Sequence, residues 1–432
     1  MARPMISKDI IFEWYEGEEA YDGTLSSVAS VPPVAARPFA ALSTLHAPDP
    51  EMKTLFFLGR ILAPFLALLL TAAHAVTPSF AENIRARNGV ADSLRLEQIA
   101  RETDDGALYA SLLEERTDVS LSKELMQLWL NTPAQERLNV HSELVDVQMN
   151  GELALAKMLI SQTIDNGPPL QYLQYRFYRQ VDGHWLRTFP SKSYWGEYQS
   201  LRTDYLRFEF RTRDAAVVQA AAPQLDRIYA TLYATVEMPP PVVPLTIRVV
   251  ERDRPGWSVS QDRLNAPSYM VTVADPSMND VEAFAQPIIS NMVFQVLRDS
   301  QSMQNGNRFI LWSALFSGLH SWLTKEQSGY ALMWEPSMAA ALQRQLAEQG
   351  ALTLNDVSFG SGSGRSPWQW RTLALESIAD YVVQRYGRHR LPEFIRALSQ
   401  YQSWAALITD LYGVSVAEFE AGWNAHMMQH YR

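Results

Sequence analysis

Residues 138–164, LNVHSELVDVQMNGELALAKMLISQTI, decide the fold of the first globular part of the chain. Apolar and polar residues alternate on both sides of Asn150-Gly151, which is the period of a strand with one buried face. An Asn-Gly pair between two alternating runs is a strong signal for a short hairpin turn. We therefore predict two antiparallel strands, at residues 138–149 and 152–164.

The sequence on both sides of this hairpin extends the pattern. A second predicted hairpin pairs residues 171–181 with residues 184–189 around Asp182-Gly183. Upstream, leucines at near-helical spacings predict helices within residues 81–131, with Asp104 or Asp105 available as an N-cap. Helices followed by a twisted antiparallel sheet predict an α+β cone whose concave face could hold a small molecule.

The C-terminal half is mostly helical in pattern, with short strands between the helices. Its predicted helices lie at residues 213–235, 281–298, 311–324 and 377–398, and one more helix is predicted before the first hairpin, at residues 121–130. The predicted strands of the C-terminal half lie at residues 245–250 and 269–273. Ser415 and Glu418 have the spacing of a capping box for the last helix. The predicted fold class of the whole chain is α+β.

Composition narrows the classes of function. The chain has 432 residues, of which 47% are hydrophobic and 19% charged, and this excludes a disordered chain or a multi-span membrane protein. Lys and Arg number 37 against 47 Asp and Glu, with no basic cluster, so nucleic acid is not an expected partner. The absence of cysteine removes disulfides, thiolate metal sites and cysteine nucleophiles.

An acidic, Pro/Ala-containing tail at residues 1–51 precedes an apolar run. Six acidic residues stand against one lysine between positions 8 and 22, interleaved with aromatic residues. A solvated disordered tail and a short partner-binding motif both fit this composition.

Residues 55–76, LFFLGRILAPFLALLLTAAHAV, contain a single charge, Arg60. As a helix this run would span roughly the 30 Å of a bilayer core. Residues 52–76 are therefore either a single-pass anchor or a signal peptide that starts at Met52 and is cleaved after Ala75. Both interpretations place residues 77–432 outside the cytoplasm.

Three segments carry a resemblance to a known domain: RFYRQVDGHWLRT at residues 176–188, SYWGE at 193–197 and TDYLRFEF at 203–210. Together they resemble the SnoaL-like cone domain that precedes a peptidase-like domain in certain bacterial surface proteins. The resemblance assigns a cone domain to residues 81–210. Domains of this type serve as enzymes, binding modules or scaffolds, so the resemblance implies a fold and not a role.

The order of elements after residue 200, with the tail DYVVQRYGRHRLPEFIRAL at residues 380–398, resembles the gluzincin, or peptidase MA-like, metallopeptidases. The resemblance assigns such a domain to residues 211–432. It implies a zinc helix bearing H-E-x-x-H and a further glutamate on the next helix. Aligned on this chain, the pentapeptide falls on residues 291–295 (NMVFQ) and the glutamate on Ser321.

This chain departs from the family pattern at each position that binds zinc or activates water. Asn291 and Gln295 offer neutral amides, Met292 cannot accept a proton, and Ser321 replaces the carboxylate. No H-E-x-x-H occurs elsewhere in the sequence. We therefore expect no catalytic residues, no metal and no cofactor, with these four positions lining an inherited cleft.

Other chemistry in the sequence gives weaker alternatives. His320 and Glu326 lie near the former glutamate position, either as a remnant site or as a solvent-exposed pair. His426 and His430 have the i,i+4 spacing of a zinc helix, although histidines near a helix C-terminus also complement its dipole.

Two further patterns are better explained by turns and loops. Asp182 and His184 are either an acid–base pair or part of a hairpin turn, and turn chemistry favours the second explanation. The GSGSG run at residues 360–364 lacks the Lys-Ser/Thr ending of a phosphate loop and fits a flexible surface loop.

These observations predict a membrane-associated, extracytoplasmic, peptidase-like protein that binds a peptide, an envelope component or a protein partner without hydrolysing it. A zinc-dependent or other hydrolase with an unrecognised site is the alternative from a different class. A purely structural envelope protein is a third interpretation.

Overall fold

A computed structural model describes residues 80–115, 121–163, 168–251, 263–300, 306–331, 335–358 and 368–431 of the chain. The acidic tail, the apolar run at residues 55–76 and the GSGSG segment lie outside these described residues. Within them, no helix is both long enough and apolar enough to cross a bilayer. The described residues form an α+β structure with two sheets, as the sequence predicts.

The N-terminal part consists of helices followed by an antiparallel sheet. The helices are α1 (Phe80–Thr103), α2 (Gly106–Ser111), α3 (Leu121–Asn131) and α4 (Ala134–Leu138), and the strands are β1 (Val140–Asn150), β2 (Leu153–Gln162), β3 (Leu170–Val181) and β4 (His184–Thr188). The strands pair in the order β1-β2-β3-β4. Asp105 is the N-cap of α2, where its carboxylate accepts hydrogen bonds from two backbone amides.

Both predicted hairpins are confirmed, and the first has its turn one residue later than predicted. Asn150 pairs with Leu153, so the turn residues are Gly151 and Glu152. Gly151 has φ 62°, which glycine adopts without the steric penalty of a Cβ. In the second hairpin, Asp182 and Gly183 have φ 50° and 85°, the two positive values that a type I′ turn requires.

Helix α1 covers one face of this first sheet. Its residues Ala86, Val90 and Leu94 pack on a row of buried β2 side chains that alternate along the strand, namely Ala154, Ala156, Met158 and Ile160. The opposite face of the sheet holds Phe177, which packs with Trp195 and Met270. Both faces of the first sheet are therefore covered by other parts of the chain.

A second sheet begins after the short helix α5 (Lys192–Trp195). It comprises β5 (Tyr198–Arg202), β6 (Leu206–Arg211), β7 (Leu245–Val250) and β8 (Arg263–Pro267), paired in that order. A 3₁₀ turn at Thr212–Asp214 leads into α6 (Ala215–Thr235). Strands β6, β7 and β8 are parallel, and α6 supplies the crossover that the parallel pair β6 and β7 needs.

The predicted strand at residues 269–273 is wrong. The strand in this region is β8, which ends at Pro267, and a turn follows in which the amides of Val271 and Thr272 donate to the carbonyl of Ser268. Only Val273–Ala274 (β9) is extended, and it pairs with β3 of the first sheet. A segment from beyond residue 210 thus belongs to the N-terminal sheet.

The described part of the chain after β9 is mainly helical. It contains α7 (Asp280–Ser300), α8 (Gly306–Ser328), α9 (Glu335–Gln349), α10 (Leu354–Val357), α11 (Trp368–Tyr386), a 3₁₀ turn (Arg388–Arg390), α12 (Leu391–Ala397), α13 (Trp404–Tyr412) and α14 (Val416–His430). The predicted single helix at residues 377–398 is wrong, because α11 ends at Tyr386 before Gly387, which has φ 91°. The predicted Ser415–Glu418 capping box is confirmed.

Candidate functional site

The four positions aligned with the gluzincin zinc site lie in the interior of the helical part. Asn291, Met292 and Gln295 on α7 are 4%, 0% and 2% exposed, and Ser321 on α8 is 3% exposed. They are part of the packed interior between helices, so their side chains do not form the wall of an open cleft. The chain therefore presents no polar, solvent-reachable surface at these positions.

Helix α7 is held in place by its N-terminal cap and by its buried face. The side chain of Asn279 accepts hydrogen bonds from the amides of Val281 and Glu282, and Glu282 accepts in return from the amide of Asn279. Buried residues such as Phe284 and Ile288 anchor the helix in the main hydrophobic core. Asn291 and Gln295 lie one turn apart on this helix and are carried into the interior with it.

The hydroxyl of Ser321 already has a buried partner. Its Oγ donates a hydrogen bond of 2.7 Å to Oε2 of Glu376 on α11, and Glu376 is itself 3% exposed. Burial raises the pKa of Glu376 above the usual carboxyl range, although the Ser321 hydrogen bond and the charge of Lys325 act in the opposite direction. Ser321, which aligns with the zinc-binding glutamate of gluzincins, is therefore a hydrogen-bond donor to the carboxyl group of Glu376.

Lys325 extends this pair into a small network. It lies one helical turn after Ser321, with Nζ 3.5 Å from Glu376 and 2.6 Å from Glu335 on α9. Burial lowers the pKa of Lys325, but its two carboxylate partners more than compensate, so the pKa is raised overall. One ammonium group between two carboxyl groups links α8, α9 and α11.

A close helix–helix contact makes the Ser321–Glu376 hydrogen bond possible. A Cβ on Gly318 would lie 2.5 Å from the backbone carbon of Leu375, nearer than real contacts allow. Glycine at this position lets α8 approach the backbone of α11 directly. Ser321 lies one turn after Gly318 on α8, and Glu376 directly follows Leu375 on α11. The same close approach therefore brings Ser321 and Glu376 together.

The buried polar atoms near these positions include two, on Asn291 and Thr324, that make no hydrogen bond. They are Oδ1 of Asn291 and Oγ1 of Thr324, and Thr324 is 2% exposed. An unsatisfied buried polar group typically costs about 1–3 kcal/mol of stability. A neutral amide oxygen and a hydroxyl are also poor ligands for zinc. These two atoms therefore do not constitute a zinc site.

The structure does not bring His320 and Glu326 together. His320 Nε2 donates a hydrogen bond of 2.8 Å to the carbonyl of Ser290 on α7, and burial lowers the pKa of this histidine. Glu326 forms a two-pronged ion pair with Arg388, in which Nη2 lies 2.8 Å from Oε2. The two residues are six positions apart on α8 and face different neighbours.

The rings of His426 and His430 lie 4.3 Å apart, but their nitrogens have different hydrogen-bond partners. His426 is buried, and its Nε2 donates to Oδ2 of Asp380 at 2.9 Å. His430 is exposed, and its Nδ1 donates to the backbone carbonyl of His426 at 3.0 Å. In the described part of the chain, no group of three or more His, Asp or Glu side chains has an arrangement that could hold a metal ion.

Asp182 and His184 are both exposed and flank the tip of the second hairpin. Asp182 occupies a turn position with positive φ, and His184 is the first residue of β4. Turn geometry accounts for both residues without an acid–base role.

Sequence reasoning missed Glu376 and Lys325. Lys325 had a readable signal, because it lies four residues after Ser321 and thus on the same helical face. Glu376 had none, because its partner is 55 positions away in sequence. Comparison with protein-family models, with curated proteins and with solved structures finds no match to this chain.

Proposed function

We propose that this chain is a membrane-associated, extracytoplasmic binding protein, built from a SnoaL-like cone domain and a gluzincin-like domain that does not catalyse hydrolysis. The observation that carries the proposal is the set of side chains at the former zinc positions. Asn291 and Gln295 carry amides there, Met292 a thioether and Ser321 a hydroxyl, and these four residues are 0–4% exposed. None of these groups can hold zinc as the family's histidines do, or remove a proton from a zinc-bound water as its glutamate does.

The hydrogen bonding around Ser321 supports the same interpretation. Its hydroxyl is engaged by Glu376, whose carboxyl group is compensated by Lys325. A catalytic metal site keeps an open coordination position for water or substrate. Here the polar groups pair with one another inside the helical core, which is typical of a structural network.

The extracytoplasmic location rests on the apolar run at residues 55–76 and its basic flank. Under this proposal residues 77–432 lie outside the cytoplasm, tethered by the run or released after cleavage at Ala75. The ligand is a peptide, an envelope component or a protein partner. Nucleic acid is not proposed as a ligand, because the chain is acidic overall.

A binding assay combined with a cleavage assay tests the proposal. The purified full-length protein is incubated with a diverse peptide library, and bound and cleaved peptides are identified separately by mass spectrometry. We expect retention of a subset of peptides with no new termini, and no stoichiometric zinc by elemental analysis. An Asn291→Ala, Gln295→Ala double variant serves to test the former zinc positions.

The outcomes separate the proposal from the hydrolase alternative. Stoichiometric zinc that is lost in the double variant, together with cleavage abolished by a chelator, would overturn the proposal. Cleavage that persists in the presence of chelator and in the double variant would support a hydrolase with a different site. N-terminal sequencing of the membrane-fraction protein tests the anchor and its cleavage independently.

A further inference from the structure

A second buried charge cluster lies between α1 and the first sheet. Among the described residues, the carboxylate in this cluster is that of Glu97. Arg101 Nη1 lies 3.1 Å from Oε1, Arg176 Nη1 lies 3.3 Å from Oε2, and Arg187 Nη1 lies 3.8 Å from Oε1. The side chains of Glu97, Arg101 and Arg176 are 7–8% exposed and that of Arg187 is 15% exposed. We call these four residues the arginine cluster.

Helical and strand periodicity explain why these residues meet. Glu97 and Arg101 are four apart on α1 and therefore share a face. Arg176 and Tyr178 are two apart on β3 and point to the same side of the sheet. Arg187 pairs with Tyr178 across the β3–β4 ladder.

Small side chains on β2 surround this face of the sheet. Ala156 pairs with Arg176 and Ala154 pairs with Tyr178. Both alanines are fully buried, so the larger side chains of β3 lie beside small side chains on the neighbouring strand β2.

Charge is not balanced within the arginine cluster. Burial by itself raises the pKa of Glu97, but the nearby arginines, led by Arg176, lower it overall, so the carboxylate is ionised. An arginine side chain does not lose its proton in a protein, so three positive charges face one negative charge. Burying an uncompensated charge is strongly unfavourable, which makes an additional anion the natural complement.

Unused donors point to the same conclusion. Arg101 Nε is buried and makes no hydrogen bond. The buried Tyr178 hydroxyl lies beside the Arg176 guanidinium, which can only donate, so among the described residues its own O–H has no acceptor. Arg101 and Tyr178 are 7% and 2% exposed. Other donors of the cluster are satisfied by neutral amides: Arg101 Nη2 donates to Gln98 and Arg176 Nε donates to Gln174. Those amides satisfy hydrogen bonds but contribute no negative charge.

We propose that the arginine cluster binds a small oxyanion, the carboxylate or phosphate group of a ligand, between α1 and β3. Guanidinium groups match the oxygens of both anions in geometry and charge. Arg187 is the most exposed member of the cluster and marks the side from which the anion enters. The site is separate from the former zinc positions and does not depend on the proposed function.

Anion-dependent stability tests this inference on the full-length protein. Thermal unfolding is followed while sodium phosphate or sodium acetate replaces sodium chloride at constant ionic strength. Because a ligand that binds only the folded state raises Tm, we expect a saturable rise with at least one of the two anions. The anion that acts at the lower concentration identifies the preferred group.

Three variants locate the effect. Arg101→Met is expected to weaken the apparent affinity by at least about tenfold, the equivalent of one charge-assisted hydrogen bond. Tyr178→Phe keeps the ring and removes only the hydroxyl, whose O–H has no acceptor among the described residues, so it is expected to fold and to bind the anion more weakly. Arg179→Met is the control, because Arg179 lies on the opposite face of β3 and pairs with Glu114 at 2.9 Å.

The control is expected to lower Tm while leaving the anion dependence unchanged. No rise in Tm with phosphate or acetate would overturn the inference. A rise of equal size and midpoint in the wild type, Arg101→Met and Tyr178→Phe would also overturn it. If Arg101→Met does not fold, the comparison of Tyr178→Phe with Arg179→Met decides the outcome.

Discussion

At the scale of single residues, buried carboxyl groups in this protein have different environments. Glu97 is surrounded by arginines, and its pKa is lowered. Asp214, at the start of α6, has no such partner: it is 1% exposed and accepts a hydrogen bond of 2.6 Å from Ser268. Burial raises the pKa of Asp214 to about 6, with a smaller contribution from Glu251, although the Ser268 hydrogen bond opposes the shift.

The raised pKa makes Asp214 a source of pH-dependent instability. Its folded-state pKa lies above the ordinary value of 3.8, so the folded protein holds the proton of Asp214 more strongly than the unfolded chain does. The stability that this group contributes is present below pH 3.8 and is lost as the pH rises through about 6. The loss of stability is therefore complete only above the folded-state pKa.

Asp214→Asn is expected to remove this loss, because asparagine cannot ionise but still accepts the Ser268 hydrogen bond. Relative to the wild type, the variant should gain up to about 3 kcal/mol above pH 6 and little below pH 4. Denaturant unfolding of both proteins across this pH range measures the difference. A difference that does not change with pH would contradict the prediction.

At the scale of elements, the contact between α8 and α11 determines the surroundings of Ser321. Gly318 allows the approach, and the Ser321–Glu376 hydrogen bond follows from it. This contact depends on the shape of two helices that are distant in sequence. Helix propensity alone gives no indication of it.

Gly318→Ala is expected to destabilise the protein by about 1–3 kcal/mol, because the new methyl group would overlap the backbone of α11. The higher helix propensity of alanine offsets only about 1 kcal/mol of this effect. Denaturant unfolding gives the change in free energy. Ser317→Ala, at the half-buried neighbouring position, is the control and should have a much smaller effect.

If Gly318→Ala were as stable as the wild type, Gly318 on α8 would not be in close contact with the Leu375 backbone on α11. Infrared detection of the Glu376 carboxyl stretch provides a second readout. Separation of the helices would weaken the Ser321 hydrogen bond and shift that band.

At the scale of the whole molecule, the first sheet is connected to the C-terminal part by more than the covalent chain. Strand β9 pairs with β3. Beside it, the Tyr175 hydroxyl donates a hydrogen bond of 2.8 Å to Asp280 at the start of α7, and Lys157 Nζ lies 3.7 Å from the same carboxylate. Burial and the Asp280 carboxylate raise the pKa of Tyr175, so its hydroxyl remains a donor.

A double-mutant cycle of Tyr175→Phe and Asp280→Asn is expected to give a coupling energy of about 1–2 kcal/mol, because a hydrogen bond to a charged group is stronger than a neutral one. Asp280 also lies in the first turn of α7, and the cycle subtracts that effect. Unfolding free energies of the four proteins provide the measurement. Additive effects within error would show that the first sheet and α7 are not coupled through this contact.

Local patterns were sufficient for much of the fold. The α+β class, both hairpins and the capping box at Ser415 follow from alternation, turn residues and cap spacing, which act between residues close in sequence. The errors occurred where neighbours in space decided the outcome. Residues 269–272 are β-prone, yet they form a turn between β8 and β9.

Within the candidate site, the sequence alone determined which chemical groups stand at the four positions aligned with the gluzincin zinc site, since residue identity fixes what a side chain can donate, accept or bind. Tertiary structure decided that these groups are buried and that Ser321 pairs with Glu376. It also decided that Glu97 meets arginines from β3 and β4. Such contacts join residues up to 90 positions apart, and packing, which no local spacing encodes, brings them together.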